Sequence, residues 1–315
     1  MNLLKALVRK MRKMAIIDIA VQIRKGKMIS SWVLDRKIQR YLKVKELPDK
    51  EIIPNLIVSL TTYPARIEIV KYSIYSLLQQ TVTPAKLFLW LAKEEFPGGH
   101  DSLPDVIKAF EKKGLEIRFS EYNFRSYDKF VHTIREYPES MIVTADDDLY
   151  YNSQWLEILY KKHTIYPNDV IAHRVHSISF DNGKIDSYTS WNGPWVECSF
   201  FNFLTSGAGV LFPPHSLFKD VTNNELFTRL SPLADDIWFY VMTILNNTRI
   251  RRIKNRIRPF IYIDKLYHFA GLMDENVLNG KNDEQLKSVL TYYNLYDGFY
   301  ERFSDLEESI HEYQK

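Results

Sequence analysis

From residue 54 onward, short apolar runs alternate with longer amphipathic stretches, a rhythm that predicts strands separated by helices. Strands are expected near residues 56–60, 86–91, 115–119, 141–145 and 170–173, and helices near 67–80, 105–113, 129–136, 154–163 and 235–245. The runs at 56–60 and 141–145 are apolar at almost every position rather than at alternate ones, which marks strands covered on both faces. The implied architecture is α/β, a Rossmann-like, twisted and mainly parallel sheet flanked by helices. Residues 203–212 read as a further strand entered through the glycine turn Ser206-Gly207-Ala208-Gly209, whereas residues 176–200 lose periodicity and are rich in Ser, Trp and Tyr.

A different pattern precedes this body. Apolar positions such as Leu3, Leu7, Met11, Ile16, Ile19 and Ile23 recur at helical spacing, with Lys5, Arg9, Lys10, Arg12 and Lys13 on much of the other face. A second basic helix is expected over residues 31–41. Residues 1–45 hold thirteen Lys or Arg against Asp18 and Asp35, so the net charge of +3 divides into +11 for this leader and −8 for the other 270 residues. Two readings of residues 1–45 follow: an amphipathic anchor on an anionic membrane surface, or a helix packed on the body or on another subunit with its basic face in water. The expected division is a leader over residues 1–50, a catalytic domain over 51–300 and a C-terminal tail over 301–315.

Composition narrows the classes. With 45% hydrophobic residues the chain is globular, and its mildly acidic body argues against nucleic acid as a partner. Cys198 is the only cysteine, which excludes an internal disulfide and a Cys-rich zinc site. No run of eighteen apolar residues occurs, and the start lacks the continuous apolar core of a secretory signal. The expected location is therefore the cytoplasm, peripheral on the inner face of the cell membrane.

The chemistry concentrates at Asp146, Asp147 and Asp148, directly behind the apolar run 141–145. In open α/β sheets ligands collect at the carboxyl ends of the strands, where these acids, Thr61 and Thr62 all fall. Adjacent carboxylates repel one another, and a strand-end turn can bring Asp146 and Asp148 towards one point. Such hard oxygen ligands suit Mg²⁺ or Mn²⁺, with open coordination positions left for diphosphate oxygens. The competing reading is an acidic turn capping the helix near residue 154. Asp235 and Asp236, at the start of an apolar helix, carry the same ambiguity between capping and chemistry. Tyr188, Trp191 and Trp195 form an aromatic loop that could stack on a sugar ring of an acceptor or make a small core of its own.

Together, Asp146-Asp147-Asp148, the segment Ser59 to Pro64, Thr205-Ser206-Gly207-Ala208-Gly209 and Ala234-Asp235-Asp236-Ile237-Trp238 resemble a GT-A glycosyltransferase of the family-2-like type. The resemblance covers about residues 54–270 and lies nearest to bacterial enzymes of surface polysaccharide synthesis. It implies an inverting transfer from a nucleoside diphosphate sugar, such as a UDP-sugar, to a saccharide or lipid-linked saccharide. By the same resemblance, Asp148 ligates the metal, with Asp146 or Asp147 serving metal or ribose. Thr61, Thr62, Tyr63 and Arg66 face the nucleotide, Arg125 and Lys129 neutralise phosphate or fix the base, and Gly207 lies against the donor sugar. Asp236 is the expected catalytic base with Asp235 orienting it, and His268 is a candidate third metal ligand. His173, Arg174 and His176 follow a strand and are further acceptor-side candidates. A nucleotidyltransferase and a non-catalytic membrane-associated scaffold are the alternatives. The first usually requires a glycine-rich basic loop after the first strand, and residues 61–66 contain no glycine.

Overall fold

The computed structural model describes residues 28–263 and 280–313. Its first half runs β1 (Met28–Ile29), α1 (Ser31–Lys43), β2 (Ile52–Thr61), α2 (Val70–Leu78), β3 (Thr83–Ala92), α3 (Asp105–Ala109), β4 (Leu115–Ser120), α4 (Asp128–Glu136) and β5 (Met141–Thr144). Then follow β6 (Leu149–Tyr151), α5 (Trp155–Ile165), β7 (Val170–Ala172), β8 (Val175–Ser177), β9 (Phe180–Asp181), β10 (Lys184–Ile185), β11 (Cys198–Ser199), β12 (Asn202–Leu204) and β13 (Val210–Phe212). The chain continues through α6 (Asn224–Leu230), α7 (Asp235–Leu245), β14 (Ile250–Arg252), β15 (Phe260–Ile263), α8 (Lys281–Tyr292) and α9 (Phe299–Tyr313).

Eight strands form the central sheet in the order β11-β14-β7-β13-β5-β2-β3-β4. Pairing is parallel from β5 through β2 and β3 to β4, and between β14 and β7. It is antiparallel on both sides of β13 and at β11. The single strand expected over 203–212 is thus two, β12 and β13, broken by a tight turn at Ser206–Ala208. That turn sits at the carboxyl end of β5, where Val210 pairs with Thr144, so β13 must run back down the sheet.

Both faces are covered, as the unbroken apolar runs require. Within β5, Val143 joins a cluster with Leu34, Tyr72 and Trp155 on one face, while Ile142 joins Phe130, Phe212 and Phe239 on the other. Each such fully buried large side chain contributes about 1.5–3 kcal/mol. The carboxyl ends of β2, β3, β5, β7 and β14 consequently share one edge of the sheet, the edge that carries the acids.

Two segments near the chain ends pack on the body. In helix α1, Leu34, Ile38 and Tyr41 are buried in the main core, and Asp35 pairs with Lys71 at 2.9 Å. Its basic residues Arg36, Lys37, Arg40 and Lys43 are exposed, as are Trp32 and Val33. The expected tail over 301–315 is largely α9. Phe299 and Phe303 are buried against the second core cluster, and the Glu307 carboxylate accepts from the Phe200 amide at 2.6 Å. Residues 1–27 and His268 lie outside the described residues. No described helix is long and apolar enough to cross a membrane.

Candidate active site

The end of β2 and the end of β5 are tied together by charge. Thr62 donates its hydroxyl to Asp147 Oδ2 at 2.6 Å. The short turn Pro64–Arg66 then swings the Arg66 guanidinium back, so that Nη1 donates to Asp147 Oδ1 at 2.8 Å and to Asp148 Oδ2 at 3.0 Å. Burial alone would lower the Arg66 pKa, but the charges of Asp147 and Asp148 outweigh it and hold the guanidinium above its ordinary value. Arg66 Nε is buried with no partner among the described residues. Arg66 thus sits at the end of β2 with its guanidinium engaged by Asp147 and Asp148.

The three acids therefore have different situations. The Asp147 side chain is 8% exposed and takes both the Thr62 and the Arg66 hydrogen bonds. Those of Asp146 and Asp148 are 37% and 30% exposed, and so open towards the edge of the sheet. Burial, followed by repulsion from Asp146 and Asp147, pushes the Asp148 carboxyl up to about 7 against the pull of Arg66 and Lys129.

Lys129, from the first turn of α4, is the second organiser. Its buried ammonium lies 2.7 Å from Asp146 Oδ1 and 3.0 Å from Asp235 Oδ2, bridging the triplet to the acid pair. Burial would lower its pKa, but Asp146, Asp235 and Asp236 together raise it, so it is a fixed positive charge. The turn before β13 closes the arrangement. The Ser206 amide donates to Asp236 Oδ1 at 2.8 Å, and its hydroxyl donates to Asp235 Oδ2 at 3.1 Å. Asp236 is pushed up to about 6 by burial and then by Asp235, opposed by Lys129 and Ser206. Ser206 accordingly engages both carboxylates, which goes beyond capping their own helix.

Glycine is required at two points of this turn. A Cβ on Gly207 would lie 1.6 Å from Asp146 Oδ2, and one on Gly209, whose φ is +110°, would lie 2.3 Å from Trp155 Nε1. Tyr151 secures the approach by accepting from the Asp146 amide and donating to the Gly207 carbonyl, each at 2.7 Å.

The other expected residues divide. Thr61 donates its hydroxyl to the Trp90 carbonyl at 2.9 Å, while Tyr63 remains exposed beside Arg66. Arg125 is exposed at a φ of +57° and acts on Glu95 electrostatically, with no ion pair to the triplet among the described residues. Tyr188 and Trp191 pack on each other and on Phe203, so they belong partly to the core, although burial and the Asp236 charge raise the Tyr188 phenol. Trp195 stands apart from that group, about half exposed, under the Arg252 guanidinium at 5.4 Å. His173 is a buried structural residue, held by the Trp155 carbonyl and by Asn255.

Five carboxylates in this cluster, Asp146, Asp147, Asp148, Asp235 and Asp236, face two cations, Arg66 and Lys129. That surplus of negative charge suits a divalent cation. Among the described residues, no three acids, histidines or cysteines converge into a ready-made metal cage. Mg²⁺ and Mn²⁺ do not require one, because one or two carboxylates plus substrate phosphates commonly complete their shell. A recess of about 550 Å³ lined by Pro167, Asp169, His215 and Asn246 lies at the opposite edge of the sheet and contains none of these groups.

Among solved structures, S. aureus TarS 1-349 has 14% identity and a TM-score of 0.45, with 78% of this chain and 74% of that chain covered. Its complex with UDP gives 12%, 0.43, 78% and 74%, and its complex with UDP-GlcNAc gives 14%, 0.38, 66% and 58%. Similarity at this level carries no inference about function. No family model and no curated protein sequence matches the chain.

Proposed function

We propose that this chain is a GT-A-type glycosyltransferase that moves a sugar from a nucleoside diphosphate donor, a UDP-sugar being the first to test, to a saccharide or lipid-linked saccharide. The observation that carries the reading is the placement of two acid groups bridged by Lys129, the second of them fixed by Ser206. Asp146 and Asp148 are partly exposed at the carboxyl edge, while Asp236 stands at a helix start across the site with a raised pKa.

In this reading Asp148, with Asp146 beside it, holds Mg²⁺ or Mn²⁺. The ion, when bound, stabilises the negative charge that develops on a diphosphate leaving group. Asp147 serves position instead, locking the β5 end to the β2 end through Thr62 and Arg66. Asp236 takes the proton from the acceptor hydroxyl as that oxygen attacks the anomeric carbon. A carboxyl near 6 is ionised at neutral pH and is a better matched proton acceptor than an ordinary one. Lys129 and Ser206 fix Asp235 and Asp236 so that no reorganisation is needed when the hydroxyl arrives. With one base and no intermediate bonded to the protein, the displacement inverts the anomeric centre.

The test is donor hydrolysis and transfer by the purified chain across a panel of nucleoside diphosphate sugars, with Mn²⁺ or EDTA present. Metal-dependent release of the nucleoside diphosphate, lost in Asp148→Ala with an unchanged circular dichroism spectrum, is expected. No donor turned over or bound would sink the reading, and a product that keeps the donor's anomeric configuration would remove the role given to Asp236. Attachment to an anionic membrane surface is proposed for residues 1–27, the more basic and amphipathic part of the leader. Equal sedimentation with anionic vesicles of the full chain and of a chain starting at residue 28 would refute it.

A further inference from the structure

The body of the chain is acidic overall, yet residues 249–258 hold six cations, Arg249, Arg251, Arg252, Lys254, Arg256 and Arg258, and no acid. One of these is structural. Arg251 is neutralised by Asp169 at 2.7 Å and Glu197 at 3.2 Å, and its guanidinium lies 3.4 Å from the centre of the Tyr166 ring. Its neighbour Arg252 points to the other face of β14. Among the described residues, Arg252, Lys254 and Arg256 make no salt bridge.

Topology brings this run to the site. β14 is parallel to β7, with Arg252 opposite Ala172, so the chain leaves β14 at the carboxyl edge that carries the acids. Asn255 clasps it there, donating to the His173 carbonyl at 2.7 Å and meeting His173 Nδ1 at 2.8 Å. From His173 the links lead inward. Arg174 Nε donates to Thr205 Oγ1 at 2.8 Å, and the next residue, Ser206, donates to Asp236. The His176 ring stands 5.7 Å from Tyr188, and its pKa is lowered by burial and then by the charges of Arg174 and Arg252. Arg252 in turn lies over Trp195. Arg174 and Arg252, both partly buried, therefore flank His176 beside Tyr188, whose phenol feels the Asp236 charge.

We infer that the acceptor is an anionic saccharide, whose phosphate or carboxylate groups are bound by Arg174, Arg252, Lys254 and Arg256 while its sugar rings lie against Trp195 and Tyr188. The inference rests on the glycosyltransferase reading and adds the acceptor's chemical class to it. Guanidinium forks match phosphate and carboxylate oxygens two at a time, and are the strong form of such contacts. Lys254 and Arg256 are exposed and Arg252 is partly buried, so the run presents cationic groups to a ligand at this edge. Arg174 and Arg252 are partly buried among side chains that lead to Asp236, which favours a ligand entering the site over a flat membrane surface.

The test is direct binding, without donor, of three oligosaccharides of equal length, neutral, phosphodiester-linked and uronic acid-containing, measured by titration calorimetry at low and at moderate salt. The full chain should bind at least one anionic oligosaccharide about tenfold more tightly than the neutral one, and that preference should shrink as salt rises. In the combined variant R252Q/K254Q/R256Q, with its thermal midpoint checked, the ratio of anionic to neutral affinity should fall to about one. Equal affinities in the unmodified chain, or a preference that survives the substitutions, overturns the inference. So does a variant that loses binding to vesicles containing anionic lipid while keeping its saccharide preference. Donor hydrolysis on the same preparation separates the two readings, since its failure with anionic binding intact removes the enzyme and leaves the anion site standing.

Discussion

Replacing Asp148 by Asn tests whether the acidic cluster stores strain for a cation. The carboxyl is pushed from 3.8 to about 7, first by burial and then by Asp146 and Asp147. At 1.36 kcal/mol per pKa unit, this corresponds to about 4 kcal/mol of unfavourable interaction once the group is ionised. Water screens part of this, because the side chain is 30% exposed, and Asn gives up the charged contact with Arg66. A net gain of about 2 kcal/mol at pH 8 without metal is the expected outcome, read as a rise of several degrees in thermal midpoint.

The sign with pH follows from the direction of the shift. A carboxyl whose folded pKa lies above its unfolded value contributes stability fully below about pH 4 and loses it as pH rises through about 7. Unmodified chain and variant should therefore agree near pH 4 and separate between pH 5 and 8. Saturating Mn²⁺ at pH 8 should reverse the order, adding about 2.7 kcal/mol to the unmodified chain at a hundred times its Kd and little to the variant. A variant less stable than the unmodified chain at pH 8 in EDTA, or an equal response of both to Mn²⁺, would refute the reasoning.

Asp236→Asn should lower transfer by about 10²–10⁴-fold with the fold intact, and kcat/KM of the unmodified enzyme should rise with pH to a plateau above about 6; rates within threefold of the unmodified enzyme would exclude Asp236 as the base. Lys129→Met leaves Asp146 and Asp235 without their buried partner and should cost about 3–5 kcal/mol at pH 7; a loss below about 1 kcal/mol in denaturant titrations would contradict the charge argument. Gly207→Ala places a methyl group where Asp146 Oδ2 lies and should cost about 1–3 kcal/mol together with most of the activity; a neutral result in both assays would show that the turn can move. Leu34→Ala, in the helix first read as leader, should cost about 2–5 kcal/mol, whereas a loss below about 0.5 kcal/mol would detach α1 from the body.

The parts of this molecule legible in the sequence are those set by local periodicity. The apolar runs place β2, β3, β4, β5 and β7 to within a few residues, and the expected bounds of α7 coincide with its observed ones, because a strand or helix buried on several sides must be apolar along its own length. The direction of β13 was not legible, since it depends on where a three-residue turn lies relative to β5, a relation between segments about 65 residues apart in sequence. The same holds for the site. The acids announce themselves, but that Arg66 would hold Asp147 and that Lys129 would join Asp146 to Asp235 depends on distances that no spacing encodes. Arg125, four residues before Lys129, shows the difference: its left-handed backbone turns it outward towards Glu95 while Lys129 points into the cluster. Two other features are present in the sequence but are masked by averages over longer segments. Phe299, Phe303 and Leu306 follow a helical spacing inside what looked like a polar tail. The cations of 249–258 vanish in a body whose net charge is negative. Charge summed over a domain says how it repels its surroundings, but a ligand meets charge summed over a few ångströms, and over residues 249–258 that local sign is opposite to the sign of the body.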